Sequence, residues 1–466
     1  MSSKRQVVRK RTKTLSGVTP IAVAVPPRLC DHGTCTYCPS LGVSQSYTPK
    51  SSTITRAEPV NYDPGEQIRA RLRAFHLMGQ PVNKIELIIL GGTFLQCTKD
   101  FQQEFVKKCF DALNGKKSKD LKQAKKVNQN AEYRCIALCV ETRPDTCERH
   151  HINQMLDYGA TRCELGVQAL DDEIYKKVNR GHTVQDVIDA TKRLKDAGFK
   201  VGYHMMPGLP GSNPKKDFEM FKEIFKNPDF RPDQIKIYPT QIMEGSALAK
   251  TYKKMNYKPY TNEQLINLVM KIKQITPSYV RIMRVMREFH KEFVIGEPAR
   301  LDLRKEVKEI MDSKGLKCNC IRCREFGFVQ RNNKMPIDTR TVELKVFEYT
   351  ASGEEEIFLE FSNSEGVLFG ICRLRVVGDS LYVRELHVYG PQVVIGEKRT
   401  GEIQHKGFGI RLMKKAEKIA KQLKCKRVKV ISGVGVREYY RKLGYRLEDP
   451  YMVKKIDKLV IKFRPR

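Results

Sequence analysis

The sequence predicts a two-part α/β protein, in which a βα barrel precedes a smaller α+β domain. Between residues 18 and 240, short apolar runs alternate with helical patterns, as expected for parallel strands joined by helices. The runs end in polar or glycine-rich tips, which is where a βα barrel carries its chemistry. After residue 335 the pattern changes to consecutive strands separated by turns, as in an antiparallel meander. A full or partial barrel therefore explains the first part better than a doubly wound sheet.

Six strands are predicted in the first part, with helices between them. The run 84–90 is largely apolar, which suits a strand covered on both faces of a parallel sheet. The predicted strands are 21–25, 84–90, 135–141, 162–166, 201–205 and 234–238. The predicted helices are 63–78, 101–113 and 215–225, together with helices that end near residues 158 and 198. The polar connector 40–55 is interpreted as a loop, and 116–126 as a basic insertion.

The second part is predicted to begin with four strands and to continue with a helix. The four strands are 343–349, 355–362, 367–376 and 380–389. The helix that follows is expected to bury an apolar face made of Ile410, Met413, Ala416, Ala420 and Leu423. A strand at 427–431 and a short tyrosine-bearing helix complete the pattern.

The charge of the chain points to a polyanionic partner. The 466 residues contain 86 Lys and Arg against 53 Asp and Glu, which gives a formal net charge of +33. An excess of this size is typical of proteins that bind nucleic acid, although it says little about the fold. At this length two or three domains are expected.

The use of cysteine indicates a reducing compartment. Six of the 14 cysteines lie in two tight groups, as in metal sites rather than a disulfide framework. The N-terminus is basic and then apolar like a signal peptide, but its prolines and its direct run into a cysteine group argue against cleavage. No apolar run approaches the ~18–20 residues that span a bilayer. We therefore expect a soluble, cytoplasmic protein with no membrane partner.

The first cysteine group, Cys30, Cys35 and Cys38, directly follows the first predicted strand in a C-x4-C-x2-C spacing. A four-iron cluster needs one thiolate for each iron, so three cysteines would leave one iron open for another ligand. Such a site is found in radical S-adenosylmethionine enzymes. The alternative is a zinc knuckle with His32 as the fourth ligand. This stretch alone does not decide between the two.

The second cysteine group, Cys318, Cys320 and Cys323, lies after the strand–helix repeat. Three close thiolates with a distant fourth ligand suit a structural zinc ion. The nearest upstream histidine, His290, is the candidate fourth ligand. We expect this site to fasten the barrel to the second part.

Several strand tips predict a ligand site that faces the first cysteine group. Gly91 and Gly92 would let the backbone approach the amino and carboxylate groups of a ligand, although a tight turn also explains them. Glu141 and Gln168 end the next two strands and could bind a ribose or a substrate. Each residue alone has an ordinary structural explanation, but their places on consecutive strands favour a shared site.

A glycine motif in the second part predicts a pyrophosphate site. The sequence from Gln404 to Gly409 is Q-x-x-G-x-G and opens the predicted helix, so its backbone N–H groups would face an anion. The antiparallel context argues against a dinucleotide fold. With the strand and the tyrosine-bearing helix that follow, this arrangement looks like the acetyl-coenzyme A site of the GNAT acetyltransferase superfamily.

The two halves together closely resemble the Elongator protein 3 family, in which a radical S-adenosylmethionine barrel is fused to a GNAT-type α+β domain. The resemblance covers nearly the whole chain and overrides the zinc-knuckle interpretation. The segments that carry it are 14–18, 30–38, 91–94, 141–145, 164–168, 324–325, 404–409 and 431–435.

The resemblance implies an enzyme that builds a carboxymethyl group on C5 of the wobble uridine, position 34, of tRNA. It would use acetyl-coenzyme A and radical chemistry from S-adenosylmethionine at a [4Fe-4S] cluster held by Cys30, Cys35 and Cys38. Tyr439 or Tyr440 would hydrogen-bond the thioester sulfur or protonate the leaving thiolate. The residues implied at acetyl-coenzyme A are Lys84, Glu385, Leu386, His387, Val388, Gln404, Lys406, Gly407, Phe408, Gly409, Ile410 and Tyr440, with Lys84 and the two tyrosines as catalytic candidates.

The resemblance also implies partners and a domain plan. The expected partner is the tRNA anticodon stem-loop, with a homodimer and, in organisms that have them, accessory Elongator subunits. The plan is a basic segment 1–17, a radical barrel 18–290, a zinc-binding linker 291–335 and a GNAT-type domain 336–466. Two departures from the family are a short basic stretch, 4–13, and a short connector after Cys38.

The main rival is a lysine acetyltransferase that acts on a basic protein such as a histone, with both cysteine groups structural. A net charge of +33 argues against it, because a basic enzyme repels a basic substrate. A non-catalytic RNA-binding scaffold conflicts with two intact cofactor loops.

Overall fold

Two sheets form the frame of the protein. In the computed structural model, which describes residues 14–92, 94–332, 336–390 and 407–456, the strands of these ranges form two seven-stranded sheets and one two-stranded sheet. In chain order the strands are β1 (Thr19–Ala24), β2 (Lys84–Leu90), β3 (Arg134–Thr142), β4 (Arg162–Gln168), β5 (Lys200–Met205), β6 (Gln234–Ile237), β7 (Ile242–Met243), β8 (Arg281–Val285), β9 (Val294–Ile295), β10 (Glu343–Ala351), β11 (Glu354–Ser362), β12 (Leu368–Val377), β13 (Ser380–Val388), β14 (Arg427–Val430), β15 (Arg446–Glu448) and β16 (Tyr451–Lys455).

The helices connect these strands and cover the sheets. In chain order they are α1 (Ile54–Ala57), α2 (Pro64–Leu77), α3 (Lys99–Asn114), α4 (Leu121–Asn128), α5 (Arg149–Tyr158), α6 (Asp172–Lys177), α7 (Val184–Asp196), α8 (Pro214–Lys226), α9 (Ala247–Thr251), α10 (Asn262–Ile275), α11 (Leu303–Ser313), α12 (Ile321–Arg324), α13 (Phe326–Asn332), α14 (Phe408–Gln422) and α15 (Arg437–Lys442). No helix in the described ranges is both long and apolar enough to cross a membrane.

The first sheet, here called the barrel sheet, is parallel throughout. Its strand order is β1-β2-β3-β4-β5-β6-β8, so neighbours in sequence are neighbours in space, as in a βα barrel. β1 and β8 are its two edges, so the sheet is a partial barrel. Along β2 the odd-numbered residues are fully buried and the even-numbered residues are partly exposed, because alternate side chains face the outer helices and the interior. The predicted βα barrel is therefore confirmed.

The six strands predicted for the first part are all present, but β8 was missed. Its apolar residues are interrupted by Arg281 and Arg284, so no apolar run stands out. Helix α10, which precedes it, was missed as well. The basic insertion 116–126 contains most of α4, which begins where the Asp120 carboxylate accepts a hydrogen bond from the backbone N–H of Gln123 at 2.7 Å.

The second sheet has the order β10-β11-β12-β13-β14-β16-β15. β13 and β14 are parallel, and the other neighbours are antiparallel, so the predicted meander is confirmed. β14 pairs only with Ser380–Val383, while β13 continues to Val388. Beyond Val383 the two parallel strands therefore separate and leave an opening in the sheet.

The predicted apolar face of α14 is partly wrong. Met413, Ala416 and Ala420 are buried as expected, but Ile410 is 43% exposed and Leu423 is 39% exposed. The buried stripe is completed by other residues instead, namely Phe408, Leu412 and Ile419. The face that contacts the sheet therefore does not include Ile410, whose side chain is exposed in the first turn.

A buried ionic network joins the barrel to the second sheet. Arg384 on β13 donates to the Asp233 carboxylate, just before β6, at 2.5 and 3.1 Å. It also donates to Glu356 at 2.9 Å, and the same carboxylate pairs with Lys195 of α7 at 3.1 Å. All four side chains are buried. Since an unpaired buried charge is strongly unfavourable, these pairs define how the two parts meet.

A glycine loop makes a second contact between the two parts. Residues 431–435 follow β14 and lie against β3. An added Cβ at Gly433 would overlap the carbonyl group of Ile136, and one at Gly435 would lie 2.6 Å from the Cβ of Arg134. Only glycine permits so close an approach of the two backbones.

Candidate active site

An upper cavity of about 390 Å³ lies at the carboxyl ends of the barrel strands. Cys30, Cys35 and Cys38 all border it, which places the first cysteine group at the mouth of the barrel. Cys35 and Cys38 are buried and Cys30 is partly exposed. The structure thus brings the three thiols to the same cavity as the predicted strand tips.

Nitrogen atoms lie beside two of the three sulfur atoms of this cysteine group. Arg180 Nη1 lies 3.6 Å from Cys35 Sγ, and Gln45 Nε2 lies 3.1 Å from Cys38 Sγ. Burial raises the pKa of Cys35, but the adjacent Arg180 and His32 outweigh it and lower the pKa to about 6. Hydrogen bonds and positive charge at sulfur favour thiolates, the form that binds iron or zinc. Burial raises the pKa of Cys38 to about 12 and also raises that of Cys30, so Cys35 is the one of the three that ionises readily without a metal. Three thiols at one cavity are a donor set for iron or zinc.

The His32 ring is held by an arginine. Arg143 Nη1 lies 3.0 Å from His32 Nε2. Because a guanidinium can only donate hydrogen bonds, this ring nitrogen is the acceptor. Arg143 Nη1 also donates to the backbone oxygen of Arg180 at 2.9 Å. The same ring nitrogen lies 3.4 Å from Cys35 Sγ, and the buried Nδ1 of the ring has no hydrogen-bond partner among the described residues.

The two glycines after β2 have different surroundings. Gly91 has a φ of +138° and an added Cβ would overlap Val25, so a tight turn explains it. Gly92 borders the upper cavity, and an added Cβ there would meet nothing within 4 Å. Gly92, rather than Gly91, leaves open space for a ligand.

Glu141 and Gln168 both border the upper cavity, as predicted from their strand tips. Gln168 has a left-handed backbone with a φ of +72°, and Ser46, which also borders the cavity, has a φ of +71°. Such backbones are uncommon for residues with a side chain and cluster at functional sites. The connector 40–55, interpreted as a loop, thus contributes Ser46 to the wall, together with Gln45 and Tyr47.

A polar cluster on the barrel floor was not anticipated. Oxygen and nitrogen atoms of Glu141, Glu164 and His204 lie within 4.8 Å of one another, a grouping that could hold a metal. The Lys236 ammonium, however, pairs with Glu164 and lies 3.2 Å from Glu141. His204 Nε2 lies 2.8 Å from Glu164. Because Lys236 already compensates the carboxylates, the cluster is better suited to hydrogen-bond a polar ligand than to bind a cation.

A lower cavity of about 740 Å³ lies between the amino ends of the barrel strands and the second sheet. It fills the opening where β13 and β14 separate. Most of the residues implied at acetyl-coenzyme A border it, namely Glu385, Leu386, His387, Val388, Gly407, Gly409, Ile410 and Tyr440, together with Tyr439. The barrel supplies the opposite wall.

The first turn of α14 opens into the lower cavity. Gly407 precedes the helix with a φ of +73°, and no side chain of the described residues caps the first N–H groups. Free N–H groups at the start of a 15-residue helix favour an anion such as a pyrophosphate. This end of the cavity therefore fits the phosphates of coenzyme A.

Tyr439 and Tyr440 both border the lower cavity, and the hydroxyl of Tyr439 lies beside the first turn of α14. Its buried Oη has no hydrogen-bond partner among the described residues. An added Cβ at Gly409 would lie 2.8 Å from this oxygen, so the hydroxyl lies at the start of α14. Burial raises the pKa of Tyr439 to about 12 and that of Tyr440 further still. Tyr440 is buried and packs against Tyr439 and Tyr445.

Two of the predicted acetyl-coenzyme A contacts hold the cavity wall. Glu385 pairs with Lys200 of β5 and accepts a hydrogen bond from Arg373 Nε at 2.7 Å. Burial raises its pKa, but these two cations outweigh it and lower the pKa to about 2. His387 Nε2 donates to the Ser16 carbonyl at 2.7 Å. Both side chains therefore connect the second sheet to the first part.

The remaining predicted residues lie at different places. Phe408 is buried against Phe361, with ring centroids 4.8 Å apart, and does not border the lower cavity. Lys84 begins β2 and shares a face with Glu86, which does border it. Burial lowers the pKa of Lys84 to about 8. Gln404 and Lys406 lie outside the described residues.

The second cysteine group is formed as predicted, but without the expected histidine. The sulfur atoms of Cys318, Cys320 and Cys323 lie within 4.8 Å of one another, as thiolates on one zinc ion would. His290 is not part of this group. The backbone N–H of Ile321 bonds to Val280, at the start of β8, whereas His290 follows the other end of that strand. Strand β8 thus separates them, and the structure does not bring His290 together with the three thiols.

Family models match the chain along most of its length. The model of the Radical SAM superfamily matches residues 25–224, and that of the Radical_SAM C-terminal domain matches 232–313. The model of the acetyltransferase (GNAT) family matches residues 330–445. Strands β2 to β6 and β8 of the barrel sheet and strands β10 to β14 of the second sheet fall within these matches.

Individual relatives match from end to end. A tRNA uridine(34) acetyltransferase of Dehalococcoides mccartyi is 44% identical over 464 residues, covering 97% of this chain and 100% of that protein. The Elongator complex protein 3 of Homo sapiens is 38% identical, covering 96% and 85%. The solved structure of the archaeal Methanocaldococcus infernus Elp3 with an N-terminal deletion (1–46) has a TM-score of 0.84 at 42% identity, covering 95% and 100%. The chain therefore belongs to the family of the tRNA uridine(34) acetyltransferases and Elongator complex protein 3.

Proposed function

We propose that this protein modifies C5 of the wobble uridine of tRNA, using acetyl-coenzyme A as the carbon source and radical chemistry from S-adenosylmethionine. The observation that carries the proposal is the position of the two cavities at opposite ends of one barrel. The upper cavity holds three cysteines with nitrogen atoms beside two of their sulfur atoms, and the lower cavity holds an open helix start and an unpartnered tyrosine hydroxyl.

The upper cavity would hold the cluster and its co-substrate. When bound, a [4Fe-4S] cluster with S-adenosylmethionine supplies one-electron chemistry. Cys30, Cys35 and Cys38 would provide the thiolates. Gly92 leaves room for the amino and carboxylate groups, and Gln168 offers amide hydrogen bonds to the ribose. The enclosed barrel excludes water from a reactive species.

The lower cavity would hold acetyl-coenzyme A. The free N–H groups of the first turn of α14 would bind its pyrophosphate. Tyr439 would donate its hydroxyl proton to the thioester sulfur, which becomes a thiolate when coenzyme A leaves. Since its pKa is raised to about 12, the hydroxyl keeps this proton at neutral pH until it is needed.

We also assign a structural zinc ion to Cys318, Cys320 and Cys323. The thiols meet beside the start of β8, where the barrel ends and the second part begins. Lys273 Nζ lies 3.4 Å from Cys323 Sγ, so a cation already favours the thiolate there. Metal content of the wild-type protein and of Cys320→Ser tests the assignment, because one equivalent of zinc should be lost with the thiol.

A polyanionic substrate suits the charge of the chain. With a net charge of +33, binding to tRNA should weaken steeply with salt, because counterions are released from phosphates. A basic protein substrate would be repelled, so protein acetylation is the less favoured function. The tRNA anticodon stem-loop remains the predicted partner, and a homodimer and accessory subunits remain predictions.

The test is anaerobic reconstitution with iron and sulfide, followed by incubation with reductant, S-adenosylmethionine, acetyl-coenzyme A and tRNA. Nucleoside mass spectrometry should then find a carboxymethyl group on uridine 34. Cys35→Ser should lose the cluster signal and the product. The matched control is Cys425→Ala, a buried cysteine at the end of α14 away from both cavities, which should keep both. Stoichiometric zinc at Cys30, Cys35 and Cys38 instead of a cluster would overturn the proposal.

A further inference from the structure

The two cavities share part of their lining. Ile88 of β2, Arg162 of β4 and Met283 of β8 border both the upper and the lower cavity. These three strands lie on different sides of the curled barrel sheet. Their side chains therefore form one layer across the barrel interior, here called the shared layer, with a cavity on each side of it.

Neighbouring residues on the same strands border one cavity each. On β2, Glu86 borders the lower cavity and Leu90 the upper cavity, with Ile88 between them. On β1, Pro20 borders the lower cavity and Ala22 the upper cavity. Because side chains two residues apart point the same way, the two cavities are the two ends of one barrel interior.

Arg162 is the polar member of the shared layer. It pairs with Glu86 on the lower side and, at 3.3 Å, with Glu164 on the upper side. Only 4% of Arg162 is exposed, and the Cys139 thiol lies against its guanidinium, yet its Nε–H has no hydrogen bond of good geometry among the described residues. A buried N–H without an acceptor is unfavourable, so a ligand oxygen is expected at this position.

The other two members of the shared layer, Ile88 and Met283, have apolar side chains. Ile88 and Met283 are both partly exposed to the interior. Methionine side chains adapt their shape readily, so a narrow chain can pass beside them. A layer made of one guanidinium and two aliphatic side chains suits a thioester: carbon and sulfur contact the aliphatic side, and the carbonyl oxygen accepts from Arg162.

We infer that the barrel interior is a passage through which the acetyl end of coenzyme A reaches the upper cavity, and that Arg162 positions its carbonyl oxygen in the shared layer. The inference rests on the proposed function and deepens it. The nucleotide of coenzyme A stays in the lower cavity, beside α14, while its arm enters the barrel from below. Arg162 thus adds a positioning residue to the three cysteines and Tyr439.

Cysteine labelling tests the passage without relying on product. In the reconstituted protein, Met283→Cys is treated with N-ethylmaleimide, and the labelled peptide is quantified by mass spectrometry. Acetyl-coenzyme A alone and S-adenosylmethionine alone should each slow labelling severalfold, because the thiol faces both cavities. Matched controls are Ile136→Cys, which borders only the lower cavity, and Leu90→Cys, which borders only the upper cavity. Each control should be protected by one ligand only.

If only one ligand protects the Met283→Cys thiol, the shared layer is a closed wall and the passage is refuted. The labelling rate can be measured whether or not the protein modifies tRNA. Failure of the proposed function shows separately, as the absence of a modified uridine with the wild-type protein.

Obstruction of the shared layer tests the same inference in the reaction. Met283→Phe should lower modified uridine about 100-fold, because a small misplacement of the reacting group is enough for such a loss. Acetyl-coenzyme A affinity by calorimetry and reductive cleavage of S-adenosylmethionine should stay within about threefold. The matched control Met255→Phe makes the same change at an exposed methionine that borders neither cavity, and it should retain product. Wild-type product from Met283→Phe would overturn the inference.

Replacement of Arg162 distinguishes a role in positioning the ligand from a role in the stability of the fold. Arg162→Lys keeps the charge between Glu86 and Glu164 but loses the Nε–H. It should leave the thermal midpoint close to that of the wild type, lower kcat and alter KM for acetyl-coenzyme A little. Equal kcat for Arg162→Lys and the wild type would refute the assigned role of the Nε–H.

Discussion

Tyr439 and Glu385 border the same cavity, but their surroundings give them different chemical roles. Glu385 is held between Lys200 and Arg373, and its pKa of about 2 makes it a weak base. The Tyr439 hydroxyl has no partner in the described part of the chain and keeps its proton to a pKa of about 12. Of these two residues, the tyrosine is the one that can give a proton to a ligand.

Removal of the Tyr439 hydroxyl should therefore impair chemistry rather than folding. In Tyr439→Phe the product rate should fall about 10²- to 10⁴-fold, the usual contribution of a positioned acid. The thermal midpoint should hardly change, since the lost oxygen makes no hydrogen bond with a described residue. The control Tyr445→Phe removes a hydroxyl that donates to Glu417 at 3.0 Å, away from the cavity, and should stay active. Unchanged turnover in Tyr439→Phe would contradict the role.

The lowered pKa of Lys84 predicts that coenzyme binding depends on pH. Its pKa is lowered to about 8 by burial, so the ammonium is mostly charged at pH 7 and mostly neutral at pH 9. We expect the affinity for acetyl-coenzyme A, a polyanion, to weaken as the pH rises through about 8. Calorimetric titrations at several pH values should show the decrease in the wild type. Lys84→Arg, which stays charged, should not show it; an identical decrease in both would rule out Lys84.

Among the elements, β13 and the glycine loop 431–435 decide the shape of the lower cavity. β13 shifts its register against β12 between Arg373 and Leu374, so that it carries one extra residue, Arg384, at the bulge. Beyond this point it leaves β14 and opens the cleft. The glycine loop then closes the cleft against β3. The cavity thus depends on a bulge in one strand and on a backbone contact from a loop.

Two glycine substitutions should separate packing from binding. Gly433→Ala should lower the free energy of unfolding by about 1–3 kcal/mol, because the new Cβ overlaps the Ile136 carbonyl group. Gly92→Ala has open space around the new Cβ, so it should keep its stability but weaken S-adenosylmethionine binding. Denaturant unfolding and ligand titration measure the two effects. Equal stability of the two variants would contradict the close contact at Gly433.

At the scale of the whole molecule, the buried ionic network explains how the barrel and the second sheet are held together. Each domain contributes charges that are compensated by the other, as Lys195 is by Glu356 and Asp233 by Arg384. If the two domains separated, each of these charged side chains would lose its partner of opposite charge, which is unfavourable. The network therefore keeps the lower cavity aligned with the barrel interior.

Asp233→Asn should be strongly destabilising for this reason. It removes the charge that compensates Arg384 and Arg373 in a buried site, an effect of about 3–5 kcal/mol. The control Glu309→Gln breaks an exposed pair with Lys305 and should change stability by less than about 1 kcal/mol. Thermal unfolding measures both. A small effect at Asp233 would mean that the network does not hold the domains together.

The local pattern of the sequence already determines the barrel, the second sheet and the cysteine spacing. Apolar runs such as 84–90 and the glycines before α14 act over a few residues, so they can be interpreted without the fold. The tertiary structure alone decides which end of a strand a residue lies at, as His290 shows. It also decides that Ile88, Arg162 and Met283 meet in one layer, because contacts between distant strands depend on how the sheet curls, which no local pattern encodes.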